Sequence, residues 1–179
     1  MSQGVVQKDC LPKTAWPPTY LGPNGAAKGF YLLKAALDML WEERRDFCLD
    51  IHFIPTEMSP YMNAHERYNY NDLQTIFENT DVLIAPSIWY ETFGFTVLEA
   101  LSYGVPVIIS GNVGAKDILV EGGGIIVEDI SPEKLCDAVR NLTADKLSVM
   151  NRIIVKNQQI MEISQLSELL ERQCYVPEP

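Results

Sequence analysis

The stretch APSIWYETFGFTVLEALSYGVP, over residues Ala85–Pro106, decides the fold of this chain. It starts as the end of an apolar strand, breaks at Pro86-Ser87 and crosses a short loop that carries Glu91. A helix is predicted from Gly94-Phe95 to Gly104. A strand that passes through a glycine-containing loop into a helix leaves backbone N–H groups free at the helix N-terminus, where the dipole favours an anion. Ligands of open α/β sheets bind in this place, beyond the carboxyl end of a strand.

Two carboxylates, Glu91 and Glu99, are separated by seven residues within this stretch. The first is predicted in the loop and the second about one turn into the helix. Both can therefore face the same crevice. Geometry alone predicts an anion-binding α/β loop at this position.

Strands alternate with helices on both sides of this stretch. The predicted strands are Pro17–Gly22, Phe47–Ile54, a weakly marked one near Arg67-Tyr68, Val82–Ala85, Pro106–Ser110 and Gly123–Val127. The predicted helices are Lys28–Glu43, one capped by Asn71 or Asp72 and ending at Phe77, the central helix, one capped by Ser131 and ending at Leu142, and Ala144–Arg172 with a break near Asn157. This alternation predicts an α/β fold: a single Rossmann-like domain over residues 17–179, with a parallel, doubly wound sheet of about six strands and helices on both faces. Residues 1–16 lack periodicity and are predicted to be a leader or linker.

Composition excludes several classes of function. The formal charge of −10 argues against a nucleic-acid partner or an anionic membrane surface, so attraction for an anionic ligand must come from local groups. No apolar run approaches the ~20 residues of a membrane span. The four cysteines are far apart and there are two histidines in all, so we expect no metal site and reduced thiols in a cytoplasmic protein.

The amino-acid sequence of the central stretch indicates a function more specifically than its predicted geometry does. The run from Glu91 to Ala100, ETFGFTVLEA, follows Pro86-Ser87 and is followed by GVPVI from Gly104. It resembles the signature of retaining glycosyltransferases of the GT-B fold, in particular the large fourth family (glycosyl transferases group 1). The match covers roughly Asp81 to Val127, with a weaker echo near Tyr20 to Ala36.

The resemblance implies the donor-binding half of an enzyme that moves a sugar from a nucleotide-diphosphate sugar to an acceptor, with retention and without a bound metal or other cofactor. It implies bacterial surface polysaccharide synthesis in the cytoplasm, and it allows peripheral attachment to the inner membrane through the rest of the enzyme. The N-terminal acceptor domain, or a partner chain in its place, is missing from this sequence. We therefore expect the chain alone to bind nucleotide weakly and to transfer little sugar.

The resemblance implies a role for each of three charged residues. Lys28, predicted at the start of a helix, would bind the donor diphosphate; its position alone also fits a surface lysine. Glu99 would bind the nucleotide ribose, and the alternative is a first-turn glutamate favoured by the helix dipole. Glu91 would lie near the donor sugar as the catalytic carboxylate, supporting an oxocarbenium-like transition state. The alternative for Glu91 is a loop carboxylate that accepts backbone N–H bonds.

Backbone groups complete the implied donor site. Phe93, Gly94, Phe95 and Thr96 would act through amides at the helix N-terminus, with the two phenylalanine side chains expected to pack. Gly22 would border the donor after the first strand. The family usually has an arginine after this glycine, whereas this chain has Gly22-Pro23, so one expected cationic contact is absent.

Aromatic residues mark the expected nucleobase region. Tyr70, with Tyr68, precedes the Asp72 helix where the family binds the base. His52 and His65 are predicted to have no catalytic role, because no cysteine or carboxylate cluster lies beside either in the sequence.

Three other classes of function are alternatives to a glycosyltransferase. A non-catalytic, transferase-like interaction domain is the main alternative, and Gly22-Pro23 supports it. A nucleotide-sugar epimerase is not expected, because its acid/base pattern is absent. A nicotinamide-binding domain is not expected either, since no G-x-G-x-x-G follows the first strand.

Overall fold

Six short parallel strands form one sheet in the order β3-β2-β1-β4-β5-β6. The computed structural model describes residues 18–157, so the predicted leader and the helix predicted beyond Asn157 lie outside the described residues. The strands are β1 Pro18–Tyr20, β2 Leu49–Ile51, β3 Met62–Ala64, β4 Val82–Ala85, β5 Val107–Ser110 and β6 Gly124–Val127. The helices are α1 Phe30–Glu43, α2 Leu73–Glu78, α3 Phe95–Ser102, α4 Pro132–Arg140 and α5 Ala144–Asn157, with 3-10 turns at Tyr70–Asp72 and Gly114–Ile118. The predicted Rossmann-like α/β fold is confirmed.

Apolar side chains on the two faces of the sheet form two separate cores. Ile108 packs with α1 and α4 on one face, whereas its neighbours Val107 and Ile109 pack with α2 and α3 on the other. Successive side chains of a strand point to opposite faces, so a strand buried on both sides is largely apolar, as β5 is from Val107 to Ile109. The doubly wound arrangement follows from this composition.

The first helix begins two residues later than predicted. α1 starts at Phe30, after Gly29 in a left-handed conformation with φ of 79°. Its buried residues, Phe30, Leu33, Leu37 and Leu40 among them, recur at three- and four-residue intervals as predicted. Lys28 therefore lies in the loop between β1 and α1 and not in the helix.

The predicted third strand near Arg67-Tyr68 is wrong. β3 is Met62–Ala64, which pairs in parallel with β2, and Arg67-Tyr68 lies in the loop that follows it. Three residues at a sheet edge give almost no periodic signal, because only Met62 and Ala64 are buried while Asn63 donates to Asp50 Oδ1 over 3.1 Å.

The cap of the helix before β4 also differs from the prediction. Asn69 begins the 3-10 turn that leads into α2: its side chain accepts from the backbone N–H of Asn71, and the Asp72 carboxylate accepts from the N–H of Asn69 at 2.8 Å. This is a capping box, so Asp72 has the reciprocal role and Asn69 is the cap. The predicted cap of α4 is confirmed, since Ser131 Oγ accepts from the N–H of Lys134.

Chain order reverses between β1 and β4. From β1 the chain builds outward to β2 and β3, and it then returns to the other side of β1 to build β4, β5 and β6. The loops after β1 and β4 consequently diverge at the carboxyl edge of the sheet, and this leaves a crevice at the topological switch point.

Candidate functional site

The loops after β1 and β4 enclose a cavity of about 110 Å³, the switch-point cavity, at the carboxyl edge of the sheet. Residues from both loops, from α3 and from the loop after β5 line it. They are Tyr20, Leu21, Gly22, Pro23, Lys28, Leu83, Ile84, Ala85, Glu91, Gly94, Thr96, Val97 and Val113. The position is the one that the sequence predicted for an anion-binding loop.

A larger open groove of about 630 Å³, the outer groove, lies next to the switch-point cavity. The two share Leu21, Gly22, Pro23 and Thr96. The other residues that line the outer groove are Asn24, His52, Phe53, Arg67, Tyr68, Asn69, Tyr70, Leu73, Phe95 and Glu99. The switch-point cavity and the outer groove are thus continuous.

One carbonyl ties the β1 and β4 loops together. Ala27 O accepts from the backbone N–H of Ile88 at 3.0 Å, from that of Trp89 at 3.2 Å and from Ser87 Oγ at 3.2 Å. Beside it, Gly29 approaches the backbone so closely that a Cβ would lie 1.9 Å from Pro86 O. With its positive φ as well, this position requires glycine.

An ion pair joins two predicted site residues across the switch-point cavity. Lys28 Nζ lies 2.7 Å from Glu91 Oε2, although the two residues come from different loops. The Glu91 side chain is 18% exposed and that of Lys28 is 42% exposed, so the pair forms at the mouth of the cavity. Glu91 therefore has a side-chain cation as partner, in contrast to the alternative of a loop carboxylate that accepts backbone N–H bonds.

Backbone contacts to the β5 loop fix the position of Glu91. Its N–H donates to Asn112 O at 2.9 Å, and its carbonyl accepts from the N–H of Gly114 at 2.9 Å. These two bonds form a parallel bridge between Glu91 and Val113. The main chain of the β4 loop is thus held on both sides, and the carboxylate is left to face Lys28.

The N-terminus of α3 opens onto the switch-point cavity. Gly94 precedes the helix in a left-handed conformation with φ of 72°, and no side chain caps the first turn. A Cβ on Gly94 would lie 2.6 Å from Val113 Cγ1, so glycine is needed for both the conformation and the packing. Thr96, in the first turn, lines both the cavity and the outer groove. The predicted helix N-terminus is therefore in place beside Lys28.

The side chains of Phe93 and Phe95 are largely exposed to solvent, so the packing expected of them is a contact between their two rings. They are 57% and 70% exposed, and their ring centroids lie 5.7 Å apart. Phe95 borders the outer groove. Trp89, in the β4 loop, is also exposed. The rim of the site is consequently aromatic.

Glu99 is half-buried on the wall of the outer groove, together with Tyr68 and Tyr70. Burial raises the pKa of the Glu99 carboxyl. Burial and then the charge of Glu99 raise the pKa of Tyr68, whose hydroxyl donates to Leu21 O at 3.3 Å. Tyr70 is 79% exposed on the same groove. The structure places the predicted ribose and nucleobase residues side by side.

Tyr20, at the end of β1, belongs to the site but gives no sequence signal of it. Its hydroxyl donates to Pro23 O at 2.9 Å, and a Cβ on Gly22 would lie 2.4 Å from this hydroxyl. Burial, and secondarily the charge of Glu91, raise the pKa of Tyr20 above its ordinary value. Tyr20 therefore stays a hydroxyl donor and sets the shape of the loop at Gly22.

One carboxylate, that of Asp50, lies beside the stacked pair His52 and His65. Their rings stack with centroids 4.8 Å apart, and His65 Nε2 lies 2.9 Å from Oδ1 of the buried Asp50. Burial, with help from His65, lowers the pKa of His52 to about 4, so its ring is neutral at physiological pH. The ends of β2 and β3, from which these residues come, meet only in the folded sheet.

Two features are absent from residues 18–157. No group of three or more His, Cys, Asp or Glu side chains in that range could hold a metal ion. Within the same range, no helix has the length and apolar character that crossing a membrane requires.

Comparisons with known proteins agree with this geometry. The family described as Glycosyl transferases group 1 matches residues 61–160. Sucrose-phosphate synthase of Spinacia oleracea is 29% identical over 87 residues, and UDP-Gal:alpha-D-GlcNAc-diphosphoundecaprenol alpha-1,3-galactosyltransferase of Escherichia coli is 34% identical over 85 residues. These matches cover 48% and 46% of this chain but only 8% and 21% of the two enzymes.

A solved structure, that of Anabaena HepE in complex with UDP and glucose, shares the fold. The TM-score is 0.72 at 13% sequence identity, and the likeness covers 91% of this chain and 49% of HepE. The chain thus spans about half of this structural relative and a smaller share of the two enzymes.

Proposed function

This chain belongs to the family of glycosyl transferases group 1, and on that premise we propose that it is the donor-binding half of a retaining glycosyltransferase. The C1–O bond of a nucleotide-diphosphate sugar breaks, and a new C1–O bond forms to an acceptor hydroxyl. The proton of that hydroxyl passes to the nucleoside diphosphate, which is released. The acceptor-binding half would come from another part of the polypeptide or from a partner chain.

The observation on which the proposal rests is the meeting of Lys28, Glu91 and the α3 N-terminus in one cavity. In the proposal the diphosphate lies against the first-turn amides of α3, where the helix dipole favours negative charge. The Lys28 ammonium binds the phosphate oxygens from the opposite loop. Gly94 allows the ligand to approach the main chain.

The proposed role of Glu91 follows from its ion pair. Phosphate oxygens compete with the carboxylate for Lys28, whose Nζ lies 2.7 Å from Glu91 Oε2. When Lys28 moves to the diphosphate, the Glu91 carboxylate is released next to the donor sugar. A fixed negative charge there stabilises the positive charge that develops at C1 in the transition state. Glu91 is the catalytic residue in this scheme.

The outer groove has the size and chemistry for the nucleoside. Glu99 would accept hydrogen bonds from the two ribose hydroxyls, which satisfy its half-buried carboxylate. The base would lie beside Tyr68 and Tyr70, since an exposed aromatic ring offers a flat surface for stacking.

Local groups must outweigh the repulsion between the net negative charge of the chain and an anionic donor. The chain has a formal charge of −10, and Pro23 stands where the family usually has an arginine. Among the residues of the described range 18–157 that line the switch-point cavity, Lys28 is the one cation. In our proposal this lysine, the α3 dipole and the backbone amides replace a divalent metal in stabilising the leaving diphosphate.

We place the reaction in the cytoplasm, in the synthesis of a bacterial surface polysaccharide. The name of the Escherichia coli relative, a galactosyltransferase that acts on a diphosphoundecaprenol-linked sugar, supports this setting. Attachment to the inner membrane would then depend on the rest of the enzyme.

Calorimetric titration with UDP-, GDP- and ADP-sugars tests the proposal. We expect one nucleotide to bind, weakly, and the Lys28→Ala variant to lose that binding. The matched control is Lys34→Ala, which removes a lysine paired with Asp38 on α1, away from the cavity. If none of the three binds at about millimolar concentration, equivalent to roughly −4 kcal/mol, the proposal is wrong.

A non-catalytic interaction domain is the second candidate. Pro23 in place of arginine favours it, and so do the exposed side chains of Trp89, Phe93 and Phe95 at the rim of the site. It predicts a folded chain that transfers no sugar even when an acceptor domain is supplied. Transfer by the reconstituted enzyme, lost in Glu91→Gln, would exclude it, and the anomeric configuration of the product would test retention.

A further inference from the structure

A third cavity, of about 520 Å³, lies at the carboxyl ends of β5 and β6. We call it the β5–β6 cavity; it is lined by Ile88, Tyr90, Ser110, Gly111, Asn112, Lys116, Glu128, Asp129 and Ile130. The segment from Ile88 to Glu91 separates it from the switch-point cavity. The Glu91 side chain faces Lys28 on one side of this segment, while Ile88 and Tyr90 line the β5–β6 cavity on the other.

Hydrogen bonds preform the polar wall of the β5–β6 cavity. Asn112 Nδ2 donates to Ile88 O at 2.8 Å, and Ser110 Oγ donates to Ser87 O at 2.6 Å. Lys116 Nζ donates to Gly111 O at 2.5 Å. The amide of Asn112 is therefore fixed beside the cavity, with its oxygen as the acceptor that remains for a ligand.

The positively and negatively charged side chains around the β5–β6 cavity are equal in number. Glu128 and Asp129 face two lysines: Lys116 within the cavity, and Lys134, whose Nζ lies 3.8 Å from Asp129 Oδ2 and donates to Glu128 O at 3.1 Å. The Glu128 carboxylate lies over Gly111, where a Cβ would be 2.0 Å from Oε2. Two carboxylates and two ammonium groups favour neither an anion nor a cation, so a phosphate has no advantage here over a neutral polar molecule.

An aromatic side chain forms the remaining wall. Tyr90 is 89% exposed and Ile88 is 45% exposed, so both present apolar surface to a ligand. A sugar ring combines an apolar face of C–H groups with a rim of hydroxyls. Its C–H face can cover Tyr90, while its hydroxyls meet acceptors such as Asn112, Glu128 and Asp129. Burial of the ring face and satisfaction of the hydroxyls both favour binding.

We propose that the β5–β6 cavity binds a neutral sugar unit of the acceptor, with its ring against Tyr90. The claim that this sugar belongs to the acceptor rests on the proposed function, whereas the binding of a neutral sugar does not. The bound unit lies one short segment away from Glu91. The donor-binding half would thus hold part of both substrates.

Amide NMR spectra of the full chain, titrated with methyl α-D-glucoside, methyl α-D-galactoside and methyl N-acetyl-α-D-glucosaminide, test this inference. We expect at least one of them to shift the amide signals of residues 110–112 and 128–130, with a Kd in the millimolar range. Tyr90→Ala should weaken this binding at least fivefold, and Tyr90→Phe should retain it because the ring remains. Trp89→Ala is the matched control: its side chain is 70% exposed next to Tyr90 but lines none of the three cavities, so binding should not change.

Three results would overturn the inference. The sugars could shift only amide signals elsewhere in the chain, or they could bind equally to the wild type and to Tyr90→Ala. Alternatively, none of the three sugars could shift these amides at about 100 mM, equivalent to roughly −1.4 kcal/mol. A parallel titration with UDP, GDP and ADP separates the two proposals. If the sugar binds and the nucleotides do not, the sugar site stands while the proposed function fails. If the nucleotides bind and the sugars do not, the reverse holds.

Discussion

β4 has a cavity at each of its ends, and the larger of the two is the poorer candidate for an anion. The amino-end cavity, of about 420 Å³, is lined by Phe77, Glu78, Thr80, Asp81, Tyr103, Gly104, Val105, Pro106, Ala144, Leu147, Ser148 and Asn151. The switch-point cavity at the carboxyl end has about 110 Å³.

Helix polarity and charge distinguish the two ends. α2 and α3 finish beside the amino-end cavity, where the dipoles present negative charge, and Glu78 and Asp81 add two carboxylates. Among the described residues that line that cavity, none is a lysine or arginine. At the carboxyl end, α3 begins and Lys28 faces the same space. α5 also begins at the amino-end cavity, with Ala144 among the lining residues, so side-chain charge separates the two ends more sharply than helix polarity does.

The largest expected effect concerns the contact that brings the β1 and β4 loops together. Gly29→Ala should lower the free energy of unfolding by about 2–5 kcal/mol, because a Cβ would meet Pro86 O in a residue with positive φ. Gly25→Ala is the control: no atom lies within 4 Å of its Cβ, so the change should range from none to a gain of about 1 kcal/mol. Urea unfolding followed by circular dichroism measures both. Equal stabilities of the two variants would contradict the close approach.

The second prediction separates diphosphate from nucleoside binding. Lys28→Ala should weaken binding of the nucleoside diphosphate by about 10- to 100-fold, the range for a lost hydrogen bond to a charged group. Binding of the nucleoside without phosphate should not change, because Lys28 lines the switch-point cavity and not the outer groove. Calorimetry with both ligands checks this. Equal losses for the two ligands would mean that the substitution disturbs the fold and not the phosphate contact.

The third prediction compares two carboxylates whose pKa values are both raised by burial, Glu99 and Asp81. Glu99→Gln should weaken nucleotide binding about tenfold, because a charged acceptor to the ribose hydroxyls is lost. The 2′,3′-dideoxy nucleotide should be insensitive to this substitution. Asp81→Asn, at the amino end, should leave both affinities unchanged. A loss with Asp81→Asn as large as with Glu99→Gln would remove the difference between the two ends.

The smallest expected effect is on pH dependence. Because burial raises the pKa of Glu99, lowering the pH protonates it earlier than an ordinary glutamate. The ionised form accepts the ribose hydroxyls, so affinity should fall as the pH drops through this raised pKa and recover above it. Glu99→Gln should flatten this part of the profile, which fluorescence titration at several pH values can measure. A fall of the same size in the Glu99→Gln variant would assign it to another group.

Regular elements could be predicted from the sequence because their signals are local. The buried positions of α1, the apolar run of β5 and the Ser131 cap each depend on residues within one turn or strand. β3 was misplaced because three residues at a sheet edge carry too little pattern. The start of α1 was misplaced because the left-handed Gly29 is required by Pro86, 57 positions away, and not by its neighbours.

Side-chain partners in the site could not be predicted for the same reason. Lys28 and Glu91 were each proposed separately, but their ion pair depends on the three bonds that Ala27 O accepts from the β4 loop. The pairing of His65 with Asp50 likewise requires the register of β2 against β3. Sequence reasoning identified these groups by type, and the sheet topology brought them together.

An amide NMR titration with UDP, GDP and ADP tests most directly whether a diphosphate binds at the carboxyl end of β4. The account predicts that one of them shifts the signals of Gly94, Phe95 and Thr96 and of the loop around Lys28, while those of the amino-end cavity stay in place. Shifts confined to the residues around Asp81 and Gly104, or no shift with any of the three, would contradict it.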